Sequence, residues 1–299
     1  MIPKYKLNNG VEIPAIGLGT YLLEGNILTE AIKMSVDTGS GLIDTASAYG
    51  NEDAVGKSLR ELKKQGYNRN QFFIETKVGD KIDENGRPIG YYFYNNPSTC
   101  PCRDTRKVVY EQIENSLKLL GVEYLDLVMI HWPYYEVLNE IWTSLEELYD
   151  QKIVRAIGVS NCRKRHLERI MKTAHYCPMI NQIYISPINT RSEDMIFCNE
   201  HNIIIEAYGP FFALRNNEFK SHKEIYALEE KYQKDISQIL LRWYYQKKII
   251  PIPKSHNPER IIANNDIFDF EITSADIRTI DNANINFQYL VESQFCPGF

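Results

Sequence analysis

At about 150 residues per domain, a chain of 299 residues suggests two domains, although a single α/β barrel also fills this length. Hydrophobic residues at 43% and charged residues at 24% are those of a folded globular protein and exclude a disordered chain. Lys plus Arg total 34 against 39 Asp plus Glu, and the formal charge of −5 argues against a general nucleic-acid binder while allowing a local cationic patch for one phosphate.

Along the chain, Asn9-Gly10 marks a hairpin turn between two alternating segments, and repeated strand-then-helix units follow. Ile16-Gly17-Leu18 precedes a helical stretch from about 27, and the run 41–44 precedes another from Glu52. The run 72–76 is followed later by a helix with Val109, Ile113, Leu117 and Leu120 on one face, stopped by Gly121. The alternation continues with a strand at 125–130, a helix at 137–149, a strand at 156–159, a helix near 163–172 and a strand near 180–185. Runs at 203–206 and 249–252 add two strands, the second preceded by a helix around 237–245. Eight strands separated by helices, with no linker or composition break, predict an α/β fold: a single (β/α)8 TIM barrel with a short N-terminal β-hairpin, one domain over residues 1–299.

The rival is a doubly wound nucleotide-binding sheet, and its usual signal is absent. Gly17-Leu18-Gly19 resembles half of the glycine fingerprint, but position 22 is Leu and no helix opens on the second glycine, so the segment reads as a strand-end turn. The stretch from about 79 to 104 lacks clear periodicity and carries Tyr91, Tyr92, Phe93 and Tyr94. It reads as an inserted loop, either a lid or a surface insertion with its own aromatic cluster.

No apolar run reaches the roughly 18 residues of a membrane span, and the start MIPKYKLNNG lacks the apolar core of a secretory signal. No membrane partner and a cytoplasmic location are therefore expected. The six cysteines, Cys100, Cys102, Cys162, Cys177, Cys198 and Cys296, are too scattered for a disulfide scaffold and read as reduced thiols. Cys100 and Cys102 have neither a second pair nor a nearby His to complete a zinc set, so no metal site is expected.

In a barrel, residues at the C-terminal ends of strands face a shared mouth. Asp44 closes the second strand, Tyr49 follows in the next loop, Lys77 follows the third strand and His131 the fourth. These four make a coherent proton-donating set. A phenol with a reference pKa near 10 is mismatched to neutral pH by about three units, roughly 4 kcal/mol. An ammonium at Lys77 narrows that gap, Asp44 holds the ammonium charged and in place, and His131 orients a substrate oxygen. Singly, each residue has a structural explanation: a cap, a buried ion pair, a packed imidazole. On consecutive strands they point to one site.

With these residues in view, the sequence resembles the aldo-keto reductase family along nearly its whole length. The matching segments are Asp44-Thr45-Ala46 with Tyr49 and Asn51-Glu52, Thr76-Lys77, Leu125-Asp126-Leu127 leading to His131-Trp132-Pro133, Gly158-Val159-Ser160-Asn161, Asn181-Gln182, and Ile252-Pro253-Lys254-Ser255 with Arg260. The resemblance implies a barrel that binds NADPH or NADP+ without a glycine fingerprint and reduces aldehydes or ketones to alcohols, with Tyr49 as the acid. It implies that Ser160, Asn161 and Gln182 hold the nicotinamide carboxamide, that Tyr208 stacks on the ring, and that Thr20 and Phe211 join the cofactor contacts. Lys254, Ser255 and Arg260 would grip the 2′-phosphate and Asn264 the adenine. Two cations and a hydroxyl after the eighth strand also suit a phosphate on chemical grounds. Tyr21, Trp132 and Phe211 are candidate pocket walls.

Three departures from the family pattern stand out, the first being the 79–104 insertion, which exceeds the usual loop. Tyr208-Gly209-Pro210-Phe211-Phe212 lacks a serine usual after strand seven, and Ala263 stands where Glu commonly precedes the adenine-side Asn. The expected partner is a small carbonyl substrate, with no nucleic acid, and the expected state is a monomer or weak homodimer. The alternative is an NADPH-binding redox sensor or regulatory subunit with little turnover, against which the intact tetrad argues. A phosphate-binding barrel isomerase gives no account of Ser160-Asn161 and Gln182.

Overall fold

A computed structural model describes residues 2–82, 88–91, 104–134 and 137–287. The N-terminal strands β1 (Lys4–Lys6) and β2 (Glu12–Pro14) pair antiparallel as the Asn9-Gly10 turn requires, with Gly10 at φ +91°. The barrel strands are β3 (Leu18–Gly19), β4 (Leu42–Asp44) and β5 (Phe73–Val78), then, beyond a small hairpin of β6 (Asp80–Ile82) and β7 (Pro88–Tyr91), β8 (Leu127–Ile130), β9 (Ile157–Ser160), β10 (Ile180–Tyr184), β11 (Ile204–Tyr208) and β12 (Ile249–Ile252). Eight of them form one sheet in the order β12-β11-β10-β9-β8-β5-β4-β3, with every pairing parallel. Parallel neighbours require crossovers, and the helices between them supply these. Val109, Ile113 and Leu120, three of the residues that define the face of α3 (Thr105–Leu120), are buried, and Gly121 at φ +69° ends the helix.

Two hydrogen bonds close the ring, from Gly17 N to Pro251 O (3.0 Å) and from Gly19 N to Pro253 O (3.1 Å). The Gly17-Leu18-Gly19 segment is therefore the seam of the barrel and not a strand-end turn. A Cβ on Gly17 would sit 2.5 Å from Ile252 Cδ1 and 2.9 Å from Leu42 Cδ2, so glycine is what lets the first and last strands meet. Gly17→Ala is expected to cost about 1–3 kcal/mol through overpacking, read as a lower urea midpoint with an unchanged slope.

Two further sequence expectations are corrected. Lys77 lies within β5 and does not follow it, and β11 runs on past the expected end at 206 to include Tyr208. The 79–104 stretch is not wholly irregular, because β6 and β7 pair antiparallel with a register shift between Lys81 and Ile82. Residues 92–94 of the aromatic cluster, with Cys100, Cys102 and Cys296, lie outside the described residues.

Candidate active site

The site grows from the C-terminal ends of β4 and β5. After Asp44 the chain makes a single 3-10 turn over Ser47–Tyr49, and Gly50 at φ +65° lets it re-enter as α2 (Glu52–Lys64). Side chains pin this turn from three directions. Asn51 Nδ2 donates to Thr20 O (2.8 Å) while its Oδ1 accepts from Thr45 Oγ1 (3.1 Å), and Ser47 Oγ donates to Lys77 O (3.1 Å). Thr20, fully buried, donates its hydroxyl to Asp44 O at 2.8 Å. The Tyr49 backbone is thereby fixed before any ligand arrives.

Lys77 is 0% exposed, and its ammonium donates to Asp44 Oδ1, to Thr45 O (3.0 Å) and to Tyr49 Oη (3.2 Å). Burial alone would pull this ammonium toward neutrality. The Asp44 carboxylate, which accepts directly from the ammonium, outweighs it and raises the Lys77 pKa, so Lys77 stays charged. The cation also lies 4.9 Å from the Tyr49 ring centroid.

His131, just past β8, presents its ring edge-on to Tyr49 at 6.1 Å, and its carbonyl accepts from Asn161 Nδ2 at 3.0 Å. Tyr21 closes on the other side of Tyr49, with ring centroids 5.1 Å apart and half of its surface exposed. Trp132 is instead buried in the main core, with its ring stacked on His131. The tetrad and Tyr21 thus converge on one mouth, and Trp132 backs it.

The neighbouring arc joins Ser160, Asn161, Gln182 and Tyr208. Tyr208 Oη donates to Asn161 Oδ1 (2.9 Å), Asn161 Nδ2 donates to Ser160 Oγ (3.1 Å), and Ser160 Oγ donates to Gln182 O (2.9 Å). Asn161 holds φ +58°, a left-handed conformation that Asn tolerates better than most residues. Gly209 follows at φ +60°, where a Cβ would lie 2.3 Å from the Phe212 ring, which accounts for glycine at this departure from the family pattern. Phe211 packs partly buried against Ile2, Ile16, Leu241 and Ile267.

Around the rim, Asn257 Oδ1 accepts from Arg260 N (3.1 Å) and caps α10 (Pro258–Asn265). Ser255 is buried and accepts from Asn257 N (3.1 Å), whereas Lys254 and Arg260 are exposed and form no ion pair among the described residues. Asn264 is buried on the same helix. A helix N-terminus flanked by two uncommitted cations fits a phosphate monoester.

Sequence reasoning missed two residues of this neighbourhood. Glu75 and Glu206 are 0% exposed inside the barrel, two positions before Lys77 and Tyr208 on their strands. That two-residue spacing, which places each on the inward face beside a site residue, was the available signal.

Fold and site together define an α/β barrel with a buried lysine–aspartate pair beside a tyrosine at its C-terminal face. The sequence matches the Aldo/keto reductase family over residues 15–285, and the chain belongs to that family and is an oxidoreductase by membership. It is 38% identical to the uncharacterized oxidoreductase YtbE of Bacillus subtilis, over 95% of this chain and 93% of that protein. It is 37% identical to the glyoxal reductase of Bacillus subtilis, over 93% and 92%. Among solved structures, the Bombyx mori aldo-keto reductase AKR2E4 in complex with NADP superposes with a TM-score of 0.83 at 28% identity, covering 98% of this chain and 96% of that one.

Proposed function

We propose that the protein reduces aldehydes or ketones to alcohols with NADPH, and that Tyr49 is the proton donor. The observation that carries this reading is the fully buried Lys77 ammonium, bonded to Asp44 and 3.2 Å from Tyr49 Oη at the barrel mouth. NADPH, when bound, supplies the hydride. Tyr49 hydrogen-bonds the carbonyl oxygen and passes it the phenolic proton, and Lys77 stabilises the phenolate left behind. Asp44 keeps Lys77 charged and aimed, and His131 donates a second hydrogen bond that orients the substrate.

For the cofactor, Ser160, Asn161 and Gln182 supply amide and hydroxyl groups for the carboxamide, and Tyr208 offers a ring face at the end of β11. Thr20 and Phe211 would add contacts along this path. Lys254, Ser255 and Arg260 would hold the 2′-phosphate and Asn264 the adenine. Arg260→Ala is expected to weaken NADPH binding about tenfold, roughly 1.4 kcal/mol, while NADH binding changes less than twofold, as measured by fluorescence titration. Equal losses for both cofactors would remove Arg260 from the phosphate site.

Absorbance at the nicotinamide band, with a panel of small aldehydes, dicarbonyls, sugars and quinones, tests the reaction. Dicarbonyls lead the panel because one relative is a glyoxal reductase. NADPH binding without oxidation by any member would favour the sensor. No helix among the described residues is long and apolar enough to cross a membrane.

A further inference from the structure

Among the described residues, the barrel interior near Tyr49 holds one ammonium, Lys77, and three carboxyl groups, Asp44, Glu75 and Glu206. Asp44 and Glu75 are register partners on β4 and β5, and Gln182 and Glu206 are register partners on β10 and β11. Gln182 spans the lumen between them, its Nε2 donating to Asp44 Oδ1 (2.9 Å) and to Glu206 Oε2 (3.1 Å). Both oxygens of Glu75 and Oε1 of Glu206 are buried and receive no N–H or hydroxyl donor. An ionised carboxylate is not sustained in such a place, whereas a proton on it provides the missing donor to its neighbour. Nothing in the proton transfer assigned to Tyr49 uses either acid.

We propose that Glu75 and Glu206 form a buried carboxyl pair that carries two protons at neutral pH and one in alkaline solution, and that the charge gained there holds the Tyr49 phenol protonated and biases the site toward reduction. The inference rests on the reductase reading for its consequence, though not for the pair itself. Burial, then the Glu206 and Asp44 carboxylates, raise Glu75 well above the usual range, and burial and Asp44 push Glu206 up to about 8. Gln182 already donates to Glu206 Oε2, whereas neither oxygen of Glu75 receives a donor, so the first charge settles on Glu206. Its proton leaves to hydroxide as water, and the carboxylate accepts from Gln182 and from the Glu75 acid. The new negative charge opposes the Lys77 ammonium in its support of a Tyr49 phenolate. Reduction starts from the phenol, whereas alcohol oxidation needs the phenolate as base, so the two directions respond oppositely. The ionisable groups facing the pair are Asp44 from β4, Lys77 from β5, Tyr49 above, and Tyr208 on β11; β3, β8, β9 and β12 carry none, and β10 carries only Tyr184.

The test uses the full chain with Glu206→Gln and Glu75→Gln, two near-isosteric changes, and two readouts. Infrared difference spectra between pH 7 and pH 10 read the carbonyl stretch of a protonated carboxylic acid directly. The native protein should lose such a band as pH rises, and Glu206→Gln should abolish that loss. A native spectrum with no titrating band overturns the pair, whatever the activity. In turnover, Glu206→Gln should match the native reduction rate within twofold at pH 6.5. Its alkaline limb should fall on the order of one pH unit earlier, and its alcohol oxidation with NADP+ at pH 9 should rise about tenfold. Superimposable profiles, or a loss uniform across pH in both variants, overturn the bias. A titrating band in a protein that turns over no carbonyl substrate upholds the pair and instead overturns the reductase reading and the bias with it.

Discussion

Replacing Tyr49 with Phe is expected to lower kcat for carbonyl reduction at least about 10³-fold while the NADPH dissociation constant changes less than twofold. The substitution removes one oxygen and leaves the ring against Tyr21 and His131, whose centroids lie 5.1 and 6.1 Å away. Lys77 keeps Asp44 and the Thr45 carbonyl as partners, so no buried charge is stranded. The loss therefore isolates proton donation. Lys77→Met should be comparably inactive for a different reason. It leaves the phenol in place without the adjacent cation, and it strands the Asp44 carboxylate with Gln182 as donor. The two variants separate on stability: Tyr49→Phe should unfold within about 0.5 kcal/mol of the native protein, and Lys77→Met should not. Retention of more than a tenth of native turnover by Tyr49→Phe would remove it as the acid.

How much of this was readable from sequence depended on where each residue sits in the barrel. Asp44 and His131 were legible because a polar residue ending a short apolar run has one structural meaning in a barrel, a place at the mouth. Glu75 and Glu206 were harder to find, because barrel strands are covered on both sides, and only the two-residue spacing from Lys77 and Tyr208 marked their inward face. Inside β5 the pattern Phe73-Ile74-Glu75-Thr76-Lys77 is buried throughout, with Thr76 turned outward to Glu52 (2.7 Å) and Glu75 turned inward. The helix α6 (Ser192–Glu200) escaped for another reason: Met195, Ile196, Phe197 and Cys198 are contiguous, so no face repeats, and Ile196 is exposed. The Gly17 seam looked like a turn because its role comes from Pro251 and Pro253, more than 230 positions away in the chain.

At the opposite end of the barrel, Asp126→Ala is expected to lower stability by about 3–5 kcal/mol while leaving kcat of the folded enzyme within about twofold of native. Asp126 is 1% exposed at the entry to β8, and both of its oxygens are committed. Oδ2 accepts from Arg69 Nη2 (2.6 Å) and Ile74 N (2.9 Å), and Oδ1 accepts from Arg155 Nη1 (2.6 Å). The carboxylate thereby joins the segment before β5 to the one before β9. Both guanidinium groups also approach the Tyr124 ring, at 4.1 and 5.9 Å from its centroid. Removal leaves two like charges facing each other and a buried Ile74 N–H without its acceptor, whereas a lone surface pair would give at most about 1 kcal/mol. Because the aspartate side of the cluster is buried, the loss should be largely unchanged between low and high salt, unlike that of an exposed pair such as Lys57 and Asp53. Asp126→Asn keeps one acceptor oxygen and should fall between native and Ala. Urea unfolding at two salt concentrations decides the matter: a loss below about 1 kcal/mol, or one that disappears in salt, would show that the strand ends are held by backbone pairing and packing alone.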